Sequence, residues 1–430
     1  MADQKIFCNV PWHNIHVYWN GDLGVCCAER TKWYPESKNN RYNLKNISID
    51  DWYNSDFLND IRAVFLNDSL IPQCDPCYKA EQSGFESRRV RENFKSVIFT
   101  EQDFSRSYMQ SPWVDRFDNP GKYKHTPLDW HVDFGNQCNL ACKMCNSNSS
   151  SMIASVLKNN NRYSGPVKVS WTSDPQSWNN FLHAVDNTTI KRFHVMGGEP
   201  LLITKYIEFI DYLIDKKRFE ISLSFVTNGT VLNPQLIDKL KLFKSVDIEI
   251  SIETIYKTND YIRQGSDIDQ LLKNIEQIKL AQTDNFQLIL RTVPQLLSIN
   301  GYHDLIAWAK EQDLIIESIP LTNPDFLAVN MLPLSMRIAM IDNYTDLQQQ
   351  LSDNINFNQI LNGRARGTIN EKLLREVNSI IQLLKQPEPA DVDEKRQRLV
   401  EHLRFWDNHY KFNFNDYYPE FAQLLKFWGY

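Results

Sequence analysis

Beyond residue 145 this chain of 430 residues has no cysteine, although eight cysteines precede that point. The chain also has no apolar run long enough to span a bilayer, and its first residues lack the apolar stretch of a secretion signal. Positive charge is not in excess, because the net charge is −6, and this argues against a general nucleic-acid-binding protein. We therefore expect a cytoplasmic protein with no membrane span and no nucleic-acid partner.

The composition is otherwise that of an ordinary globular protein, with 42% hydrophobic and 23% charged residues. The chain is long enough for two or three domains with large cores. Its cysteines are clustered rather than spread through a small secreted domain. Clustering of this kind favours metal binding or redox chemistry over a disulfide framework.

Three of the cysteines form the most informative motif. Cys138, Cys142 and Cys145 follow the pattern C-x3-C-x2-C. A closed zinc site needs four ligands, and this group supplies three. Three thiolates on a 4Fe–4S cluster leave one iron without a protein ligand, where a small chelating molecule can bind and receive an electron. The triplet therefore indicates chemistry at a cluster rather than a structural metal site.

The order of elements predicts an α/β fold. Between residues 128 and 330, short apolar runs alternate with amphipathic helical patterns, which is typical of parallel strands with helices outside. Six such units predict a partial (β/α)6 barrel, open on one side. The predicted strands are 130–134, 192–196, 221–226, 246–251, 288–293 and 314–319.

Four segments are predicted along the chain. Residues 1–95 form a small cysteine-rich domain, 96–127 a linker rich in proline and glycine, 128–330 the barrel, and 331–430 a helical extension. The extension is unusually aromatic, and we expect it to pack as a cap on the barrel rather than to form a substrate or partner surface. Its predicted helices are 333–350, 369–386, 392–407 and 416–428.

Polar motifs follow three of the predicted strands. They are Gly-Gly-Glu-Pro at 197–200, Thr-Asn-Gly at 227–229 and Ser-Ile-Glu at 251–253. Taken alone, each of the first two is better explained as a turn, because proline suits a first helical turn and glycine suits positive φ. Glycines also permit close backbone approach to a ligand. Since the carboxyl ends of barrel strands carry active sites, the three motifs together with the triplet favour a functional rim.

In this order the motifs, followed by Tyr-Ile-Arg at 261–263, resemble the radical S-adenosylmethionine (radical SAM) superfamily over roughly residues 128–320. The resemblance implies that Cys138, Cys142 and Cys145 hold a 4Fe–4S cluster whose open iron chelates the methionyl amine and carboxylate. It also implies reductive cleavage of S-adenosylmethionine to a 5′-deoxyadenosyl radical, which abstracts hydrogen from a bound substrate.

The same resemblance implies roles for residues outside the triplet. Glu199 receives the methionyl ammonium group, and Gly197 and Gly198 give it room. The residues implied on the ribose and carboxylate side are Thr227, Asn228, Ser251, Glu253 and Arg263. Arg291 is a weaker candidate for the same pocket.

Two positions depart from the family's usual pattern. Met144 stands where an aromatic residue is common, although a thioether also packs against an adenine edge. Glu253 stands where aspartate is usual, and its side chain is one methylene longer.

The N-terminal cysteines form a second set, Cys8, Cys26, Cys74 and Cys77. Four thiolates suit an all-cysteine zinc site and a fully ligated iron–sulfur cluster equally well. The spacings C-x12-G-x4-C and C-x2-C resemble the SPASM/twitch auxiliary-cluster domains that accompany radical SAM enzymes. No cysteine lies between Cys77 and Cys138, which favours the single-cluster twitch type. Such domains usually follow the barrel, whereas this one precedes it.

Other residues of the N-terminal segment have ordinary interpretations. Cys27 is the odd cysteine and is expected to be a buried thiol. His13 and His16 are expected to be core or surface histidines rather than ligands. The basic run at 88–91 is a possible clamp for an anionic substrate, but a solvated helix face is favoured.

We therefore predict a radical SAM enzyme with an auxiliary iron–sulfur cluster that takes part in electron transfer. The resemblance implies a peptide or protein side chain as substrate, with a small molecule, nucleotide or sugar as the alternative. It also implies a low-potential electron donor such as flavodoxin or ferredoxin. The distant alternative is a non-catalytic interaction protein in which the cysteines hold zinc.

Overall fold

The computed structural model describes residues 6–27, 42–67, 69–82, 86–98, 126–319, 321, 323–352 and 368–430. Most of the predicted linker 96–127 lies outside these residues. The chain divides into two compact units. The first comprises 1–137, 165–225 and 235–246, and the second comprises 138–164, 226–234 and 247–430.

Five strands build the sheet of the first unit in the order β2-β1-β3-β5-β6. They are β1 (Asn14–Val17), β2 (Leu23–Gly24), β3 (Asp129–Asp133), β5 (Arg192–Met196) and β6 (Ser222–Thr227), the last of which ends in the second unit. Strands β1, β3, β5 and β6 are parallel neighbours, and β2 pairs antiparallel with β1. The N-terminal segment therefore adds a strand to the sheet that the predicted barrel strands begin.

The helices of the first unit are α1 (Ile49–Tyr53), α2 (Asp56–Leu66), α3 (Asp75–Gln82), α4 (Arg88–Ile98), α6 (Pro175–Asn187), α7 (Thr204–Asp215) and α8 (Pro234–Leu240), the last of which begins in the second unit. Several begin at capping side chains: Ser48 and Ser55 accept bonds from the first turns of α1 and α2, and Asp174 caps α6 ahead of its first-turn proline. Aromatic rings fill the space between sheet and helices. Trp130 packs edge-to-face on Phe181, and the rings of Phe193 and Phe209 lie 4.8 Å apart.

The second unit contains β7 (Ser245–Ser251), which begins in the first unit, β9 (Phe286–Thr292) and β10 (Ile315–Ser318), in the order β7-β9-β10. Strands β9 and β10 are parallel. A separate two-stranded ladder pairs β4 (Ala141–Cys142) with β8 (Arg263–Gln264). The helices among these strands are α5 (Ser151–Asn159), α9 (Thr258–Ile262), α10 (Ile268–Leu280) and α11 (Ile299–Glu311).

The C-terminal extension is helical, as predicted. Its helices are α12 (Leu334–Ser352), α13 (Ile369–Lys385), α14 (Val392–Tyr410), α15 (Phe414–Tyr417) and α16 (Ala422–Phe427). The prediction of one helix over 416–428 is wrong, because Pro419 separates α15 from α16; proline lacks the backbone N–H and disfavours a helical residue before it. Among the described residues, no helix combines the length and the apolar character needed to cross a membrane.

The α/β fold class is confirmed, with strands and helices alternating through 128–330. Each predicted barrel strand exists: β5 has the predicted bounds, and the bounds of the other five differ by no more than two residues. The aromatic extension packs inward within the second unit: Tyr261 of α9 contacts the rings of Phe414, Tyr417 and Tyr418. Its hydroxyl also donates to Asp407 at 2.8 Å. The described part of the extension thus forms a cap over α9.

Candidate active site

The cysteine triplet lies in the second unit, in a loop fixed by backbone pairing. Cys142 belongs to β4 and faces Arg263 of β8 in the antiparallel ladder. The Cys138 N–H donates to the Ser151 hydroxyl at the start of α5, at 3.1 Å, and the Cys145 N–H donates to the Cys142 carbonyl at 2.9 Å. All three side chains are partly exposed, and none of them is part of a disulfide. The loop is therefore shaped by its backbone before any metal binds.

The three thiols are electrostatic neighbours. Burial raises the pKa of Cys142 to about 12, and a negative charge on Cys145 raises it further while Arg263 lowers it. Burial likewise raises the pKa of Cys145 to about 11, with a smaller contribution from Cys138. Thiolates this close are unfavourable without a cation, and metal ligation requires deprotonated cysteine. The donor set therefore fits a cationic metal cluster held by three thiolates.

Arg263 places a positive charge beside the triplet. Its Nη1 atom lies 3.8 Å from the Cys142 sulfur. Its Nε and Nη2 atoms donate to one carboxylate oxygen of Glu253, at 3.2 and 2.6 Å. The other Glu253 oxygen accepts from Thr292 and from the Val293 N–H. Glu253 is fully buried, and burial raises its pKa although Arg263 opposes the shift. In this structure Glu253 and Arg263 therefore bind each other.

The Thr-Asn-Gly motif holds the residue that follows Cys138. Asn228 donates to the Asn139 side chain at 2.8 Å, and Asn139 donates to the Thr230 hydroxyl at 2.9 Å. Thr227 accepts the Gly229 N–H, and a Cβ on Gly229, whose φ is +69°, would lie 2.6 Å from Leu271. The motif is thus a glycine turn, and its asparagine also anchors the cysteine loop. Sequence reasoning missed Asn139.

Two further candidates of the second unit are a buried serine and a half-buried arginine. Ser251 ends β7 and is 7% exposed. Arg291 lies between two carboxylates: its Nε atom donates to Glu249 at 2.8 Å and its Nη1 atom to Glu317 at 3.1 Å.

The Gly-Gly-Glu-Pro motif lies in the first unit as a tight turn after β5. The φ angles of Gly197 and Gly198 are +79° and +58°. A Cβ on Gly198 would lie 2.3 Å from the Gln137 carbonyl oxygen, and one on Gly197 would lie 2.7 Å from the Asp133 Cβ. Gly197 and Gly198 were expected to allow close approach to a ligand. In the structure they instead approach Asp133 and Gln137, which lie shortly before the triplet in the sequence. Glu199 is 1% exposed and accepts the Leu201 N–H at 3.0 Å, so it also caps the turn.

Lys143, between two triplet cysteines, was missed by sequence reasoning. It is 1% exposed, and its ammonium lies 3.8 Å from the Tyr261 ring centroid. Burial lowers its pKa to about 8. Its carbonyl contacts the His402 ring at 3.0 Å, so the helical extension packs directly on the cysteine loop.

The N-terminal cysteines lie in the first unit. Cys8 and Cys77 are buried, whereas Cys26 and Cys74 are partly exposed. Burial raises the pKa of Cys8 beyond the ordinary range, and charges on Cys26 and Cys77 raise it further. These three thiols are therefore electrostatic neighbours, as one metal site requires. The geometry alone does not distinguish zinc from an iron–sulfur cluster at these cysteines.

Arg88 changes the interpretation of the basic run. Its guanidinium turns inward, where Nη1 donates to the Cys27 sulfur and Nη2 donates to Asn14 at 2.8 Å. Arg89 is buried and pairs with Glu81. The preference for a solvated helix face is therefore wrong for both arginines, because this face of α4 packs against the cysteine-bearing segments. Cys27 is half-buried rather than buried, and it accepts from Arg88.

A polar row in the first unit was also missed. His16, His131, His194 and Ser224 are register partners on β1, β3, β5 and β6. His13 lies outside the row and bonds Asn9 at 3.1 Å, as an ordinary buried histidine does. The signal in the sequence was a polar residue at alternate positions of strands that should otherwise be apolar on both faces.

Two family models match the chain. The radical SAM superfamily model matches residues 132–293, and the SPASM model, an iron–sulfur cluster-binding domain, matches residues 8–78. Together they confirm the predicted cofactor classes, iron–sulfur clusters and S-adenosylmethionine. The second match also bears on the N-terminal cysteines, since it favours iron–sulfur over zinc there.

Curated relatives match over part of their length. The radical SAM cyclopropyl synthase TigE of Paramaledivibacter caminithermalis is 28% identical over 154 residues, 34% of this chain and 31% of TigE. The mycofactocin maturase MftC of Mycolicibacterium smegmatis is 23% identical over 36% of this chain and 34% of its own. The probable GTP 3′,8-cyclase of Methanocaldococcus jannaschii is 25% identical over 44% and 58%. This chain thus spans about a third of the first two relatives.

Among solved structures, Streptococcus suis SuiB bound to the precursor peptide SuiA matches with a TM-score of 0.38 and 16% identity. The match covers 68% of this chain and 60% of SuiB.

Proposed function

We propose that this chain, which belongs to the radical SAM superfamily of enzymes, holds a 4Fe–4S cluster on Cys138, Cys142 and Cys145 for reductive cleavage of S-adenosylmethionine. When bound, the cluster and its cosubstrate supply a 5′-deoxyadenosyl radical that removes hydrogen from a substrate. The observation that carries the proposal is the shaped loop. It brings three cysteines together as electrostatic neighbours, one of them beside the Arg263 guanidinium.

The protein's own residues position the triplet in this proposal. The β4–β8 ladder fixes Cys142, the Asn228–Asn139 bond fixes the chain after Cys138, and Lys143 anchors the loop under the helical extension. Arg263, held by Glu253, offsets negative charge at the Cys142 thiolate. Thr227, Ser251 and Arg291 are proposed to line the ribose and carboxylate side of bound S-adenosylmethionine.

Glu199 is proposed to receive the methionyl ammonium group. Its carboxylate is buried in a glycine turn that only residues without a Cβ can form, and buried carboxylates are stabilised by pairing with a cation. Gly197 and Gly198 serve this role by shaping the turn.

Cys8, Cys26, Cys74 and Cys77 are proposed to hold one auxiliary iron–sulfur cluster of the twitch type. The buried thiols and the adjacent Arg88 suit an anionic cluster with a full thiolate shell. A fully ligated cluster has no position for substrate, so we propose electron transfer as its role, with the substrate radical as donor.

The proposed substrate is a peptide or protein side chain, because members of this family with auxiliary clusters often modify peptides. The relative named a maturase supports this class. A nucleotide is the second candidate, because relatives named GTP 3′,8-cyclases also match part of this chain. We further propose a cytoplasmic setting, since thiolate-bound clusters suit a reducing compartment, and a flavodoxin or ferredoxin as the electron donor.

The substrate class is tested by deuterium transfer. Cells of the source organism are grown in deuterated medium, and their lysate is separated into peptide and small-metabolite fractions. Each fraction is incubated anaerobically with the reconstituted protein, S-adenosylmethionine and dithionite. We expect deuterium in 5′-deoxyadenosine with the peptide fraction only, and loss of that signal after protease treatment of the fraction. Labelling by the metabolite fraction alone would replace the peptide proposal with a small-molecule substrate.

A further inference from the structure

The polar row of the first unit brings three metal-binding side chains together. The register aligns His16 with His131, and Asp133 lies two residues after His131 on the same face of β3. Neighbouring strands lie about 4.8 Å apart, so aligned rings come into contact. The His16 and His131 ring centroids are indeed 4.5 Å apart. The opposite face of these strands carries Ile15 and Trp130, which belong to the apolar core.

The donor atoms of the three side chains converge. The Nε2 atom of His16 lies 3.2 Å from Asp133 Oδ2, and the Nε2 atom of His131 lies 3.7 Å from Asp133 Oδ1. One ligand atom from each residue lies within 4.8 Å of the others, and this is the sole such group of histidine, cysteine and acidic residues in the described part of the chain. All three residues are more than nine-tenths buried. The arrangement is therefore enclosed rather than a surface cluster.

An ion pair alone leaves the group incomplete. The bond between His16 and Asp133 uses one carboxylate oxygen, while His131 Nε2 and Asp133 Oδ1 have no hydrogen-bond partner within the residues described. Each unsatisfied buried polar atom costs about 1–3 kcal/mol. The two atoms lie 3.7 Å apart, so one cation placed between them satisfies both.

We propose that His16, His131 and Asp133 bind one divalent first-row transition metal ion, of which Zn²⁺ is the probe of choice. Two imidazoles and one carboxylate are a common ligand set for such ions. Bonds of about 2.0–2.1 Å in a tetrahedron place donor atoms roughly 3.3 Å apart. The separations from the histidines to Asp133, 3.2 Å from His16 to Oδ2 and 3.7 Å from His131 to Oδ1, are close to that distance, and Asp133 is counted as one ligand through either oxygen. The fourth position is left for water or for an oxygen or nitrogen atom of a ligand.

The proposal is independent of the proposed function, because it uses none of the cysteines. Asp133 also lies next to the Gly-Gly-Glu turn. A Cβ on Gly197 would lie 2.7 Å from the Asp133 Cβ, so the metal ligand packs against the Gly-Gly-Glu turn. Binding of the metal would therefore steady the strand end that carries this turn.

The test uses the full chain with its iron–sulfur clusters reconstituted anaerobically, so that the cysteines are occupied. The holoprotein is stripped with EDTA, given one equivalent of Zn²⁺, desalted, and examined by metal analysis and zinc-edge X-ray absorption. We expect one zinc per chain, a nitrogen and oxygen shell at about 2.0 Å, and no sulfur shell at about 2.3 Å.

The variants separate ligation from folding. Asp133→Asn keeps the side-chain shape and His131→Ala removes one ligand, and each is expected to weaken zinc binding at least tenfold with the iron content unchanged. His194→Ala is the matched control, because His194 is the next ring of the row but bonds Ser224 instead, at 2.6 Å. We expect it to bind zinc as the wild type does. A sulfur shell, no retained zinc in the wild type, or wild-type affinity in Asp133→Asn would each overturn the proposal.

Discussion

Replacing Gly198 by alanine is expected to loosen the turn after β5 that packs against the chain leading into Cys138. Gly198 has a φ of +58°, and left-handed backbone costs a residue with a Cβ about 1–2 kcal/mol. The added Cβ would also lie 2.3 Å from the Gln137 carbonyl oxygen and 2.9 Å from the Gln137 nitrogen. Both contacts are with backbone, which cannot rotate away, and forced overpacking costs about 1–3 kcal/mol more. We therefore expect a total cost of about 2–5 kcal/mol.

Hydrogen exchange measures this cost locally, without requiring two-state unfolding of a long chain. The reporter is the Glu199 N–H, which donates to the Gln137 carbonyl at 2.7 Å. A cost of 2–5 kcal/mol predicts exchange faster by a factor of about 30 to several thousand for peptides covering this turn. Glu199 and the residues before Cys138 should respond together.

Gly429→Ala is the matched control. Gly429 also has a positive φ, +94°, but a Cβ there would meet nothing within 4 Å. It therefore carries only the cost of the backbone conformation, and exchange at the turn after β5 should stay at the wild-type rate. If Gly198→Ala left exchange at this turn unchanged, the reasoning from the close contact with Gln137 would be refuted.

Three further predictions concern charged groups. Burial raises the pKa of Glu376 to about 7, so the folded state binds its proton more tightly than the unfolded state does. The free energy of unfolding should therefore fall by about 3 kcal/mol as pH rises from about 4.5 to 7. Glu376→Gln should remove that slope in urea titrations across this range, and an unchanged slope would contradict the assignment. Glu253→Gln leaves the buried Arg263 without its anionic partner and should lower the free energy of unfolding by about 3 kcal/mol. The double variant Glu253→Gln with Arg263→Met should lose less stability than the sum of the two single variants. Additive losses would show that the pair is not coupled. Arg88→Met removes the positive charge beside Cys27 and should make the auxiliary cluster's reduction potential more negative by on the order of 100 mV. Arg88→Lys keeps the charge and should shift the potential less. Equal potentials for the wild type and Arg88→Met in a redox titration would place Arg88 away from the cluster.

The fold and the triplet were predictable because each rests on local sequence pattern. Apolar runs between helical patterns fixed the existence of β3, β5, β6, β7, β9 and β10. The spacing of Cys138, Cys142 and Cys145 predicts a cluster site from local sequence, without knowledge of any long-range contact. What the pattern predicted wrongly was the continuous helix over 416–428, where the effect of Pro419 was underweighted.

The features that were missed all depend on pairing between distant segments. The alignment of His16 with His131 follows from β1 joining β3, and a strand of four residues gives no sign of its partner. Asn139 is important because Asn228 bonds it from another loop, and Arg88 because α4 turns it toward Cys27. Alternating polar residues in β1, β3 and β5 were the one visible clue, since strands covered on both faces should be apolar throughout.

Formation of 5′-deoxyadenosine tests the central claim most directly. The chain is reconstituted anaerobically, its iron is counted, and it is incubated with S-adenosylmethionine and dithionite. We expect about eight irons per chain, as two 4Fe–4S clusters require, and 5′-deoxyadenosine in the wild type. Cys142→Ala should lose about half of the iron and all of the product, whereas Cys77→Ala should lose a similar amount of iron and still cleave S-adenosylmethionine. A fully loaded wild type that forms no 5′-deoxyadenosine, or a Cys142→Ala variant that forms it at the wild-type rate, would contradict the claim.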